Sequence, residues 1–460
     1  MKQIYLLLAV FYNTVLLSQT VLTSYPLNFD KELKSAQILT AANNATNEVF
    51  VFARTDKELT ILKYNSALFL KDKFTFSPQY TEDALLIGYS FSDDGNPTLY
   101  WSSGDGSIIT IIKYYFEDKR SKALQFLFPA KTQTLRAEYE NNNSFYMLAE
   151  SKSQSKLILY IFKNGLVEQK ELDFSRFNFQ NNNATNLNFR QILKENPIEK
   201  MEPNEYNSIY KASSKVKVYP FKDRIILTLD NTIKNTQLFD IDLSTLEIKE
   251  KYFPQPLGKK APKTSNSFFR DNKLFQINTN EEQLLFEIRD YNSDQVMKHF
   301  DVAKNDTIRF KNSPFQFQKN NSKPRQLKNT AAFLKQLSNG TIGLSVFTNQ
   351  QNIFITVAGI TKKLIFDSYE ISNPENVFYG NNPSSFYETS VYFESIWDKN
   401  FNITTSEQEP LATDKIYYFI DKNQKIRMQS ILKFKDYCVL GYYDLKTKHY
   451  VLRKFTDGYN

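Results

Sequence analysis

Seven times along this chain a turn residue introduces a short, almost uninterrupted apolar run. The runs are NEVFVFA from Asn47, DALLIGYS from Asp83, NSFYMLA from Asn143, DRIILTL from Asp223, NKLFQI from Asn272, NGTIGLSV from Asn339 and DYCVLGYY from Asp436. A polar stretch generally follows, and then a second run. Those are LTILKY from Leu59, IITIIKYYF from Ile108, KLILYIF from Lys156, QLFDI from Gln237, QLLFEI from Gln283, NIFITV from Asn352 and HYVLRKF from His449. β-Branched and aromatic residues bounded by Asn, Asp, Gly and Ser spell strands and turns. Helix is expected in one place only, FRQILKEN from Phe189.

Several units add an alternating segment in front, such as KVKVYPF from Lys215 or SILKF from Ser430. Several add one behind, such as LKDKFTF from Leu70 or EIKEKYF from Glu247. Each unit therefore reads as four strands, with the middle pair apolar on both faces. A single sheet with one wet face would alternate throughout, so something must pack on each side of every middle strand. An all-β β-propeller meets that demand, because each four-stranded blade lies between two others. The expectation is seven blades, within a range of six to eight, forming a single domain over residues 20–460. Long insertions are placed at 175–214, 305–328 and 367–413. TVLTSYPLNF, residues 20–29, is read as a spare strand that pairs into the last blade and removes an open edge. Paired β-sandwiches are the nearest rival. A membrane barrel needs strictly alternating strands of about 10 residues, and here Lys63 and Lys113 sit inside doubly apolar ones.

The first residues, MKQIYLLLAVFYNTVLLSQT, place Lys2 before an apolar stretch at 4–17. That stretch is shorter than the roughly 20 residues a spanning helix needs, so residues 1–19 read as a removed secretory signal peptide. The mature chain is then exported, periplasmic or extracellular. No second apolar run is long enough to span a membrane. Cys438 is the only cysteine, which excludes an intramolecular disulfide and leaves stability to core packing. A formal charge of +8 on 460 residues is a mild bias and a poor argument for nucleic-acid binding, so no nucleic-acid partner is expected. It is unevenly spread. Residues 256–273 and 318–329 are basic, while 373–414 carry seven acids against Lys399. Solvated loops are the simplest reading of these segments, and oppositely charged partner surfaces the sharper one.

Against that background SDDGNPTLYWSSGDGS, residues 92–107, stands out for gathering three of only twelve glycines beside Asp93, Asp94 and Asp105. A calcium loop needs alternating oxygen ligands and a glutamate at the twelfth position, where Gly104 stands. Ser92, Asp94, Thr98 and Trp101 resemble, in order, the Asp-box hairpin of sialidase-type propellers. Gly95 comes one residue early and Trp101 two late, and in that family the motif is a fold element. The simpler account is a strand at 97–102 between two glycine turns. The chain as a whole resembles secreted propeller-type proteins rich in asparagine and lysine, a resemblance that brings no activity, substrate or site with it.

Enzyme signatures are scarce. The two histidines, His299 and His449, cannot build a His-rich metal cluster, and HExxH, CxxC, GxSxG, P-loop and GxGxxG motifs do not occur. No catalytic, cofactor-binding or metal-ligating residue is assigned, and no cofactor is expected. Tyr100, Trp101 and Trp397 lie near turns or insertions and are the candidates for stacking on a sugar or peptide, with core packing as the plainer role. The resulting expectation is a non-enzymatic, monomeric binding or scaffold module with a protein or glycan partner. The alternative is a carbohydrate-active propeller enzyme using carboxylates that converge at the ring mouth. Seven Asn-x-Ser/Thr triplets occur, at Asn44, Asn142, Asn183, Asn305, Asn320, Asn339 and Asn402.

Overall fold

The computed structural model describes residues 19–29, 36–77, 84–320, 322–373, 376–404 and 409–458. The leader read at 1–19 lies outside them except for Gln19, as do Asp83 and residues 406–408. Two compact units make up the chain. The first comprises Met1–Ser153, Leu157–Glu171 and Glu409–Asn460, and the second Gln154–Lys156 and Leu172–Gln408.

In the first unit β1 (Gln19–Pro26) precedes three four-stranded meanders. The first is β2 (Gln37–Ala42), β3 (Val49–Arg54), β4 (Leu59–Tyr64) and β5 (Leu70–Phe76). The second is β6 (Leu85–Phe91), β7 (Pro97–Ser102), β8 (Ile108–Tyr115) and β9 (Arg120–Leu127). The third is β10 (Gln133–Asn141), β11 (Ser144–Ser151), β12 (Lys156–Lys163) and β13 (Leu166–Asp173).

The second unit opens on β14 (Phe179–Gln180), β15 (Asn186–Leu187) and α1 (Phe189–Glu195). Asn188 caps α1 by accepting from the Gln191 amide, and the Gln191 side chain returns the bond. A five-stranded sheet follows: β16 (Ile198–Lys200), then, after α2 (Ile209–Ala212), β17 (Val216–Pro220), β18 (Arg224–Leu229), β19 (Asn235–Asp242) and β20 (Ile248–Pro254). Next come β21 (Thr264–Arg270), β22 (Lys273–Thr279), β23 (Gln283–Asp290) and β24 (Val296–Ala303). The last sheet of this unit holds β25 (Gln316–Lys319), β26 (Arg325–Gln326), β27 (Thr341–Thr348), β28 (Asn352–Asn373) and β29 (Asn376–Asp398), with α3 (Thr330–Leu337) ahead of β27. Back in the first unit, α4 (Ala412–Lys422) leads into β30 (Ile426–Phe434), β31 (Tyr437–Asp444) and β32 (His449–Phe455).

β1 pairs antiparallel with β32, from Gln19 opposite Phe455 to Pro26 opposite His449. The two ends of the described chain thus share one sheet, as the spare-strand reading of residues 20–29 expects. β7 likewise coincides with the strand read at 97–102.

Core composition explains the doubly apolar runs. Along β3, Val49, Val51 and Ala53 enter a core with Val439, Tyr443 and Leu452, while Phe50 and Phe52 enter another with Leu99 and Trp101. One strand therefore serves two cores because a sheet packs on each of its faces, and the fold is a β-propeller. Every residue of β3 and of β11 is buried, each large apolar side chain contributing ~1.5–3 kcal/mol. The fourth strands have a wet face: β5 and β9 are mostly exposed.

Three expectations need correction. DALLIGYS is not a doubly buried middle strand: β6 begins exposed at Leu85, and β7, with its proline and hydroxyl residues, takes the middle place. KVKVYPF does not alternate wet and dry, since all five residues of β17, including Lys217, are buried. Helix is also more frequent than expected. In α4, Ala412 and Ile416 cover the face of the C-terminal sheet that presents Cys438, Leu440 and Phe455.

Candidate binding pocket

The aromatic candidates are spent in the cores. Tyr100, Trp101 and Trp397 are 0%, 1% and 0% exposed, so none offers a face to a ligand. Tyr100 stacks on Phe145 at 4.6 Å and shares a 2.7 Å hydrogen bond with Ser90. Arg54 lies 5.3 Å over the Trp101 ring. Trp397 is ringed by Phe286, Phe300 and Phe310 and donates Nε1–H to Ser395 Oγ.

The aspartates of the 92–107 stretch are bonded to their own turns or to neighbouring side chains, Asp93 accepting from Asn164 Nδ2 at 3.3 Å. Asp105 accepts from Ser103 Oγ at 2.6 Å and from the Ser107 amide at 3.0 Å. These bonds hold its carboxyl down at about 2. Asp94 accepts from the Asn96 amide at 3.0 Å and from Lys113 Nζ at 2.8 Å. Gly95 and Gly106 adopt φ of 76° and 71°, the left-handed geometry the turns require. Among the described residues no three His, Cys, Asp or Glu side chains are grouped to hold a metal ion.

Two charged constellations in the second unit went unread in the sequence. The first is sealed. Asp230 Oδ2 accepts from Lys217 Nζ at 3.0 Å and from the amide and hydroxyl of Ser267, both at 2.9 Å, while Oδ1 accepts from Thr236 at 2.7 Å. Both side chains of the ion pair are fully buried. Burial pushes the Asp230 carboxyl up, but Lys217, Lys215 and Thr236 outweigh it and hold the group below its usual range. Lys215, donating to the Ser265 carbonyl, is lowered to about 8, chiefly by burial, with Asp230 opposing and Lys217 adding. With the Lys217 and Asp230 side chains out of water and bonded to the strands around them, this cluster can fix the strands but offers no accessible group to a ligand.

The second constellation is open. A cavity of about 490 Å³ is lined by Lys304, Lys311 and Lys328 with Asp306, Phe315 and the start of α3. β25 and β26, which lie within the stretch 305–328 and overlap the basic segment 318–329, pair Gln316 with Gln326 and Phe317 with Arg325. That hairpin turns the chain back so that Lys328 rejoins Lys304 and Lys311 at one cavity. Lys304 Nζ reaches Glu282 at 2.8 Å. That contact, first among the causes, holds the Glu282 carboxyl below its usual range, so Glu282 is a lysine partner rather than a reacting group. Lys311 donates to the Ser313 carbonyl at 3.3 Å and lies 5.1 Å over Phe315, whose ring stacks on Phe333 at 4.5 Å. Lys328 has no ion-pair or hydrogen-bond partner among the described residues. Asp306 is turned to the backbone, accepting from the Ala303 amide at 3.1 Å. Three lysines beside the Phe315 ring suit recognition, and the single lining carboxylate, Asp306, does not make a hydrolytic pair. The sequence signal was present in the basic segment; its convergence with Lys304 and Lys311 was not.

No family model and no curated protein matches the chain. It is similar to the β-propeller domain of Cps50 (Swd1) from Myceliophteria thermophila, at 8% identity over 95% of this chain and 100% of that one, TM-score 0.32. It is similar to the β-propeller domain of the Trilobed protease from Pyrococcus furiosus, at 9% identity over 91% and 95%, TM-score 0.31. It is also similar to the WD40 domain of SCAP from fission yeast, at 10% identity over 96% and 98%, TM-score 0.30. Likeness of this degree transfers no residue, ligand or activity.

Proposed function

We propose that the chain is an exported, non-enzymatic β-propeller that works as a binding or scaffold module and engages a protein or glycan partner through the lysine-lined pocket. The observation that carries this reading is the contrast between the two charged constellations. The Lys217–Asp230 pair is closed on every side, whereas Lys304, Lys311 and Lys328 face a solvent-open cavity. The leader at 1–19 supports a periplasmic or extracellular address.

The test is capture from the source organism's own medium or envelope by the chain lacking residues 1–19, beside the K304E/K311E/K328E variant. A partner retained by the native chain and lost by the folded variant supports the reading. Equal capture by both, or hydrolysis of members of a glycan panel with no partner retained, defeats it.

A further inference from the structure

We infer that Asn44, Asn142, Asn183 and Asn305 carry N-linked glycans, an inference that rests on the export reading. A chain this rich in asparagine, serine and threonine gathers about six acceptor triplets by chance, so the number of triplets argues nothing. Their placement does. All seven triplet asparagines are exposed, whereas fewer than half of the other described asparagines are. None is followed by proline, and each lies in a turn or connection outside the strand ladders.

Side-chain bonding divides the seven. Asn339 Nδ2 donates to the Lys335 carbonyl at 2.7 Å, Asn402 Nδ2 donates to Asp398 at 3.0 Å, and Asn320 Oδ1 accepts from the Glu388 amide at 2.8 Å. Asn44, Asn142, Asn183 and Asn305 make no side-chain hydrogen bond among the described residues, so their amide nitrogens stand in water. Asn142 sits at φ 49°, at the tip of the two-residue turn between β10 and β11. The Asn44 turn adjoins it, because the Asn44 amide donates to Asn143 Oδ1 at 2.9 Å. Asn305 lines the lysine pocket, so its glycan would stand at that mouth.

The chemistry is transfer from a lipid-linked oligosaccharide pyrophosphate. Asparagine Nδ2 forms a bond to the anomeric carbon, and the bond from that carbon to the pyrophosphate oxygen breaks. The lipid pyrophosphate leaves, and the nitrogen gives up one proton to the transferase's base. The Nδ2 of each of the four sites loses no existing hydrogen bond in the product.

The experiment is secretion of the full chain from a eukaryotic host in two forms. One keeps its own leader, and the other has residues 1–19 replaced by a leader known to work. Glycans are then released enzymatically in ¹⁸O-water, which converts each occupied asparagine to labelled aspartate. The expected result is a ladder of mobility that collapses on release, with label at the four asparagines and one step lost for each of N44Q, N142Q, N183Q and N305Q. Secretion of the exchanged-leader form with none of the four labelled overturns the inference, as does higher occupancy at Asn320, Asn339 and Asn402. If the own-leader form stays in the cytoplasm while the exchanged form is labelled at the four sites, the export reading fails and the acceptor assignment stands.

Discussion

Tyr100 and Trp101 are neighbours in one strand, yet their rings lie in different cores. Tyr100 stacks on Phe145, and Trp101 packs with Phe50 and Phe52. Strand alternation sends them to opposite faces, and the sheets on either side make both faces dry. Trp101→Ala should cost about 3–5 kcal/mol, the loss of a fully packed large side chain. Tyr100→Phe keeps the ring and leaves Ser90 without its bond, so about 1–3 kcal/mol is expected. Urea denaturation of each variant checks the order, with the tryptophan variant the weaker.

The sealed ion pair gives a second prediction. Asp230→Ala leaves the Lys217 ammonium buried and unmatched, and should cost about 3–5 kcal/mol, while Lys217→Met with Asp230→Leu should cost less than the single change. Denaturation midpoints of the two variants decide it.

Lys215 predicts an alkaline signature. Its amine titrates at about 8 in the folded chain against an ordinary value of 10.5. Below pH 8 both states hold the proton and the burial cost is felt in full. Between 8 and 10.5 the unfolded chain binds a proton that the folded chain has released, so this group's contribution to stability rises with pH. Lys215→Gln should flatten that rise between about pH 8 and pH 10, read as thermal midpoints of wild type and variant.

Cys438 reports on α4. Its thiol lies in the core formed by Ala412, Ile416, Leu440 and Phe455 and is 8% exposed. In the native chain it should react slowly with a disulfide reagent, at a rate limited by opening. Ile416→Asp puts an unpaired carboxylate against that core and should release the helix, raising the thiol's rate by at least about tenfold while the β circular-dichroism signal persists.

What the sequence made legible was burial on two faces, because a strand apolar at consecutive positions must be covered on both sides. NEVFVFA and NSFYMLA became β3 and β11, buried throughout, and residues 20–29 supplied the strand that joins the two ends of the described chain. The exchange of β6 for β7 was not legible, since Pro97, Thr98 and Ser102 lower the apparent apolarity of a strand that tertiary contacts bury. Nor was α4 read, although Ala412, Ile416, Phe419 and Ile420 follow helical spacing; acidic surroundings and adjacent Tyr417 and Tyr418 masked it. Lys217 meets Asp230 across a strand pair, and Lys328 meets Lys304 through a hairpin, so neither meeting is written in local composition.

Double-mutant cycles on Phe145 test the two-core arrangement. Tyr100 and Phe145 truncated together should show a coupling of about 0.5–1.5 kcal/mol. Trp101, next to Tyr100 in sequence but in a separate core from Phe145, should add to Phe145 within ~0.5 kcal/mol. Equal coupling of both residues to Phe145, or none for Tyr100, would contradict a strand shared between two packed sheets.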